Sequence, residues 1–183
     1  MKRTAAILLA CAALICTVSG CGKKQDTEKN YDSSAVLQQK SDSYEDALKE
    51  CFDSIYSRGD GVVFYAYMYP DAAVDEMKAS GVYDGLISDF RDGKESGFGQ
   101  SQGKLAYDKI VEAHEINDDQ TAAAKRYLQQ LGAQYKPDLT EDQLDIKEGY
   151  EVTYSYLCDG EPKGNDTVLV VKLNDEGWKI LTG

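Results

Sequence analysis

The strongest constraint on the fold is the alternation of side-chain type along residues 150–158. One parity is aromatic or apolar and the other is polar: Tyr150, Val152, Tyr154, Tyr156 and Cys158 against Glu151, Thr153 and Ser155. A period of two is that of a β-strand with one buried face. We therefore expect a strand here whose tyrosines point into the core.

Further strands are predicted on both sides of this segment. Residues Asp166–Leu173 and Trp178–Leu181 are apolar runs separated by the turn residues Asn174–Gly177, and a polar loop is expected over Asp159–Asn165. Leu105–Ile116 is also strand-like. The second half of the chain is therefore predicted to form an antiparallel sheet.

The first half has helical periodicity instead. Apolar residues recur at i, i+3, i+4 and i+7 from Tyr44 to Tyr56, and the pattern ends at Arg58–Gly61. Shorter helices are predicted at Asp71–Ser80 and around Tyr83–Phe90, and a longer one at Asp118–Tyr135. The stretch VFYAYMYPD, residues 63–71, suits either a strand or a helix by its spacing. Helices first and an antiparallel sheet last indicate an α+β domain, with N-terminal helices packed on the sheet.

The N-terminus has the layout of a secretory signal. Lys2 and Arg3 precede an apolar run from Ala5 to Val18, which is too short to span a bilayer and is followed by Ser19, Gly20 and Cys21. The sequence Val18-Ser19-Gly20-Cys21 resembles the lipobox of bacterial lipoproteins. That resemblance implies removal of residues 1–20, a diacylglyceryl group on Cys21, and a lipid anchor on the extracytoplasmic face of the cell membrane.

A polar segment follows the lipid-attachment cysteine. Residues 21–43 are rich in Lys, Ser, Asp and Gln, which is the composition of a disordered tether. Residues 44–183 have the length of a single domain with one core. The expected organisation is signal, tether and one α+β domain.

The chain is strongly acidic, and this charge limits the classes of molecule that it can bind. Loss of Lys2 and Arg3 with the signal takes the formal net charge from −12 to −14. Such a surface repels nucleic-acid phosphates and anionic lipid headgroups. We expect no nucleic-acid partner, and contact with the membrane through the lipid on Cys21 alone.

The order of elements over Tyr44–Gly183, together with the closing NDEGWKI, resembles the nuclear transport factor 2-like superfamily. The resemblance implies helices folded over a curved sheet to form a cone with an internal pocket. It also implies that the VFYAYMYPD stretch is helical. The superfamily includes ketosteroid isomerases, polyketide cyclases and many non-catalytic binding domains, so the fold does not decide function. A helix as long as Asp118–Tyr135 between the first two strands departs from the family pattern.

Inward-facing aromatic residues are the predicted pocket lining: Phe52, Tyr56, Tyr65, Tyr69, Tyr154, Tyr156 and Trp178. No carboxylate interrupts these stripes, and Asp108 is the nearest acid, on a strand of unassigned facing. We therefore expect a non-enzymatic domain that binds a small apolar ligand or an envelope protein. The alternative is an isomerase-like or cyclase-like enzyme with a carboxylate and a tyrosine in the pocket.

The sequence gives little indication of a metal site, a cofactor site or a catalytic nucleophile. His114 is the single histidine and lies beside Glu112 and Glu115, as a surface residue would, and no Cys or His cluster has ligand spacing. No cofactor or metal is predicted. Cys51 and Cys158 both face inward, and buried thiols are favoured over a disulfide between them.

Overall fold

A computed structural model describes residues 41–95 and 103–182. The predicted signal, Cys21 and most of the predicted tether lie outside the described residues. Five α-helices are present in the described part: α1 Tyr44–Asp53, α2 Gly61–Met68, α3 Asp71–Ala79, α4 Tyr83–Glu95 and α5 Asp118–Gly132. A π-helix, Ser54–Arg58, continues α1, and a 3-10 turn, Glu141–Gln143, follows α5. No helix among the described residues is long and apolar enough to cross a membrane.

In the described part of the chain, one antiparallel sheet of four strands has the order β1-β2-β3-β4. The strands are β1 Leu105–Glu115, β2 Ile146–Cys158, β3 Glu161–Leu173 and β4 Gly177–Leu181. Register shifts interrupt the β1–β2 pairing between Tyr107 and Lys109 and between Ile110 and Glu112. The prediction of an α+β fold with helices on an antiparallel sheet is confirmed.

Helices cover both faces of this sheet. Val170 packs in a core with α1 and α2, whereas the next residue, Val171, packs in a second core with Ala124 and Leu128 of α5. Since successive residues of a strand point to opposite faces, α5 lies on the other face from the N-terminal helices. The long helix between β1 and β2 therefore builds a second layer instead of interrupting the first.

Local sequence signals account for most element boundaries. The side chain of Ser43 caps α1 by accepting a hydrogen bond from the amide of Asp46 at 3.1 Å. Gly59 ends the π-helix with a left-handed φ of 66°. Asn117 and Gln120 form a reciprocal capping box at the start of α5. The stretch 63–71 contributes its first residues to helix α2, which confirms the helical alternative.

The hairpin between β2 and β3 differs from its prediction. The polar loop predicted over Asp159–Asn165 is wrong, because β3 already begins at Glu161. Asp159 and Gly160 both have positive φ, 53° and 87°, which is the combination used by a two-residue type I′ turn. The pair Asp159-Gly160 is the sequence signal from which this turn could have been predicted. The polar residues after it form the exposed start of β3.

Candidate functional site

A group of aromatic side chains surrounds Phe52 between α1 and the sheet. The ring centroid of Phe52 lies 4.6 Å from that of Tyr56, 5.9 Å from Tyr154, 6.2 Å from Tyr107 and 6.5 Å from Tyr156. These five residues are called the Phe52 cluster below. Phe52 and Tyr154 are each 5% exposed, whereas Tyr56, Tyr107 and Tyr156 are half-buried. The cluster therefore has a buried floor and a partly accessible tyrosine rim.

Strand register and helix geometry bring the cluster together. Tyr107 of β1 pairs directly with Tyr156 of β2, so both rings share a face with Tyr154. Tyr56 lies four residues after Phe52, at the point where α1 gives way to the π-helix. π-helical turns are rare and are often found at functional sites. Here the turn holds Tyr56 against Phe52 at the edge of the core.

A carboxylate lies beside this cluster, and the sequence analysis missed it. Asp166 of β3 pairs directly with Tyr154 of β2, and directly opposed residues point to the same face of a sheet. Asp166 is half-buried, and its Oδ1 atom accepts a hydrogen bond from the amide of Thr167 at 2.9 Å. The alternation Asp166, Val168, Val170 could have revealed it, had the facing of β3 been assigned from the apolar residues that follow.

The tyrosines of the cluster are weak acids. Burial, followed by the nearby charge of Asp166, raises the pKa of Tyr154 well above its ordinary value. The pKa of Tyr156 is raised by the same causes, and burial raises that of Tyr107 to about 12. At neutral pH these phenols keep their protons. The site therefore presents neutral hydroxyl groups, aromatic faces and the carboxylate of Asp166.

The remaining predicted lining residues lie elsewhere in the core. Tyr65 and Tyr69 stack on each other and contact Tyr83 and Tyr135, between α2, α3 and α4. Trp178 packs against Tyr44 and Tyr150. The seven predicted residues thus divide among three aromatic groups, and four of them belong to the Phe52 cluster: Phe52, Tyr56, Tyr154 and Tyr156.

The two cysteines of the described region are both thiols and are not joined by a disulfide. Cys51 is 2% exposed, and Cys158 is half-buried at the end of β2. Both pack with the core that contains the Phe52 cluster. Burial raises the pKa of the Cys51 thiol to about 12, which makes it a poor nucleophile at neutral pH.

The other polar candidates lie on outer surfaces. Oδ2 of Asp108 accepts a hydrogen bond from Ser155 at 2.7 Å on the face opposite to Tyr154, so this acid does not enter the cluster. The side chain of His114 is 68% exposed and lies 3.5 Å from Glu112. Across residues 41–95 and 103–182, no group of three potential metal ligands comes together.

A groove of about 290 Å³ lies between α5 and the sheet. Ala123, Tyr127, Leu169 and Leu181 form apolar walls, and Glu151 contributes a carboxylate that accepts a hydrogen bond from Gln120 at 3.1 Å. Glu151 and Leu169 are paired in the sheet and point to the face opposite to Tyr154. The groove and the Phe52 cluster are therefore separate surfaces.

The chain matches no family model, no curated protein and no solved structure. The fold and the site define an α+β domain with a tyrosine-rimmed aromatic cluster on the sheet face that α1 and α2 cover.

Proposed function

We propose that this protein is a lipoprotein anchored to the extracytoplasmic face of a bacterial membrane through Cys21. Its folded part is a non-enzymatic, nuclear transport factor 2-like domain that binds a small ligand. The lipobox-like sequence supports the anchor, and helices layered on an antiparallel sheet agree with the domain type. The single observation that carries ligand binding is the half-buried tyrosine rim over the buried Phe52 and Tyr154.

The tyrosine rim suits a ligand with apolar surface. Aromatic side chains offer large contact areas with little rotamer entropy to lose, and their hydroxyl groups can orient a bound molecule. Tyr107, Tyr154 and Tyr156 come from adjacent strands, so the sheet holds them in place before binding. The ligand therefore meets a preorganised surface.

The anchor is tested by labelling cells with an alkyne analogue of palmitate. We expect label on the protein and none on the Cys21→Ala variant, because only the thiol of Cys21 accepts the diacylglyceryl group. The wild-type protein should sediment with membranes. Unlabelled protein in the culture medium, with an unmodified amino terminus, would refute the anchor.

Ligand binding is tested by saturation-transfer NMR with indole as a neutral aromatic probe and the full chain in maltoside micelles. We expect saturation transfer that falls in Tyr156→Ala. Tyr127→Ala, in the α5 groove, is the matched control and should behave like the wild type. Equal signals from all three proteins and from empty micelles would count against a site at the Phe52 cluster.

The alternative, an isomerase-like or cyclase-like enzyme, gains support from one observation. Asp166 and Tyr154 lie on the same face of the sheet, the face covered by α1 and α2, so a carboxylate and a tyrosine are adjacent there. Burial and the nearby charge of Asp166 raise the pKa of Tyr154, so its phenol keeps its proton and can donate a hydrogen bond in either function.

Solvent-deuterium exchange into 2-tetralone, an apolar ketone, separates the two functions. A binding domain leaves exchange at the buffer rate. Exchange above the buffer rate that disappears in Asp166→Asn would establish proton-transfer chemistry and overturn the non-enzymatic proposal.

A further inference from the structure

We infer that the ligand of the Phe52 cluster carries an alkylated ammonium group, with Asp166 as its counter-ion and the tyrosine rings as its walls. The inference rests on the proposed function and adds the chemical class of the ligand. Asp166 and Tyr154 are directly paired and face the same way, so charge and aromatic surface meet at one place.

Aromatic faces attract cations through the negative potential above the ring, and this attraction strengthens where water is excluded. Tyr107 and Tyr154 stack with centroids 6.0 Å apart, and Tyr156 is 6.5 Å from Tyr154. A cation at the rim would therefore lie near several ring systems at once. An uncharged ligand would gain the apolar contact but not this electrostatic attraction.

The protein's own cations already occupy ring faces in the other two aromatic groups. Nζ of Lys78 lies 5.3 Å from the ring centroid of Tyr83, and Nζ of Lys172 lies 5.3 Å from that of Trp178. Within the described residues, no lysine or arginine takes such a position over Tyr107, Tyr154 or Tyr156. The half-buried rings of Tyr107 and Tyr156 keep the cation-binding potential that the other groups use internally.

The apolar lining of the site favours an alkylated ammonium over a primary one. Asp166 lies among aromatic and aliphatic neighbours such as Val168 and Ile110. A quaternary ammonium needs no acceptor, and its methyl groups can pack on the rings.

The charge of the whole chain works in the same direction. A formal net charge of −12 attracts cations toward the surface and repels anions. Asp166 then supplies the local charge at the rim. Long-range attraction and local recognition both select a positively charged ligand.

The test compares choline with 3,3-dimethylbutan-1-ol, which has the same shape without the charge. The full chain in maltoside micelles is titrated with each probe and followed by saturation-transfer NMR. We expect choline to bind at least about tenfold more tightly than the neutral alcohol, and to bind more weakly as salt is added.

Two matched variants locate the effect. Asp166→Asn keeps the size of the side chain and removes its charge, so choline affinity should fall about tenfold. Glu151→Gln removes a carboxylate from the α5 groove and should leave the binding of choline and of indole unchanged. Circular dichroism and urea unfolding check that each variant is folded.

The outcomes separate this inference from the proposed function. The ammonium inference would be overturned by equal affinity for choline and its neutral analogue, or by an unchanged choline affinity in Asp166→Asn. If the wild type still bound indole, the proposed ligand site would stand. Loss of choline binding in Glu151→Gln instead would place the cation in the groove and overturn the assignment to Asp166. No binding of choline, the alcohol or indole would overturn both the inference and the ligand-binding function.

Discussion

Nζ of Lys179 lies 2.8 Å from Oδ1 of Asp71 in a position where the lysine side chain has no exposed surface. The same nitrogen donates to the carbonyl oxygen of Ala66 at 3.0 Å and lies 3.5 Å from Oε2 of Glu176. Oε2 of Glu176 also accepts a hydrogen bond from the backbone amide of Asp71 at 2.8 Å. This network joins edge strand β4 to the junction of α2 and α3.

Removing both carboxylates from the network should destabilise the fold. We expect Asp71→Asn with Glu176→Gln to lower the free energy of unfolding by about 3 kcal/mol, because a buried ammonium loses its counter-charges. Adding Lys179→Met should restore most of the loss, since the methionine fills the same space without charge. Urea unfolding measures all three proteins, and a triple variant less stable than the double one would contradict this account.

The thiol of Cys51 should resist alkylation in the folded protein. Its pKa is raised to about 12 by burial, so almost no thiolate exists at pH 8, and the sulfur is also shielded. In a Cys158→Ser variant, iodoacetamide should modify Cys51 only after urea is added. Mass spectrometry follows the reaction, and rapid labelling under native conditions would show that the core around Phe52 opens.

The stability of the fold should decline above pH 10. Burial raises the pKa of Tyr67 and of Tyr83 to about 12 each, from an ordinary value of 10. A raised folded-state pKa means that the stabilisation is complete below pH 10 and is lost as pH rises toward 12. Urea midpoints at pH 7, 9, 10 and 11 measure the decline.

Tyr67→Phe provides the control for this titration. The variant removes the hydroxyl that donates to Glu50 at 2.6 Å, so it should be less stable at pH 7 by about 1 kcal/mol. It should also lose less stability than the wild type between pH 10 and 11. A decline as steep as that of the wild type would assign the alkaline effect to other groups.

The capping box at the start of α5 should be worth about 1 kcal/mol. Asn117→Ala removes the side chain that accepts from the amide of Gln120 at 3.0 Å and leaves that amide without its cap. Asn117→Ser keeps a capping oxygen and should stay within a few tenths of the wild type. Urea unfolding compares the two variants, and equal losses would mean that the cap is not the cause.

The predicted helices and strands agree with the structure where local signals define them. The strand predicted at Leu105–Ile116 is confirmed as Leu105–Glu115, and the helix predicted at Asp118–Tyr135 begins at the predicted residue and ends at Gly132. Periodicity and capping act within a few residues, so a single sequence reveals them. The start of β3 was mispredicted because its first residues are polar and exposed on both faces.

The candidate site was predictable only in part. Phe52, Tyr154 and Tyr156 follow from periodicity, because each lies on the buried side of its own element. The separation of Tyr65 and Trp178 from that group depends on how α2 and β4 pack, which no local pattern contains. Tyr107 and Asp166 join the site through the pairing of β1 and β3 with β2.

The sequence alone predicted the α+β class, the tyrosine face of β2 and the lipobox-like start. Each of these depends on patterns among residues that are close along the chain. Only the tertiary structure decided that α5 covers the second face of the sheet, that Asp166 stands beside Tyr154, and that Lys179 is buried against Asp71. Those relationships join residues that are distant along the chain. Strand register and helix packing set them, and both depend on the whole core assembling at once.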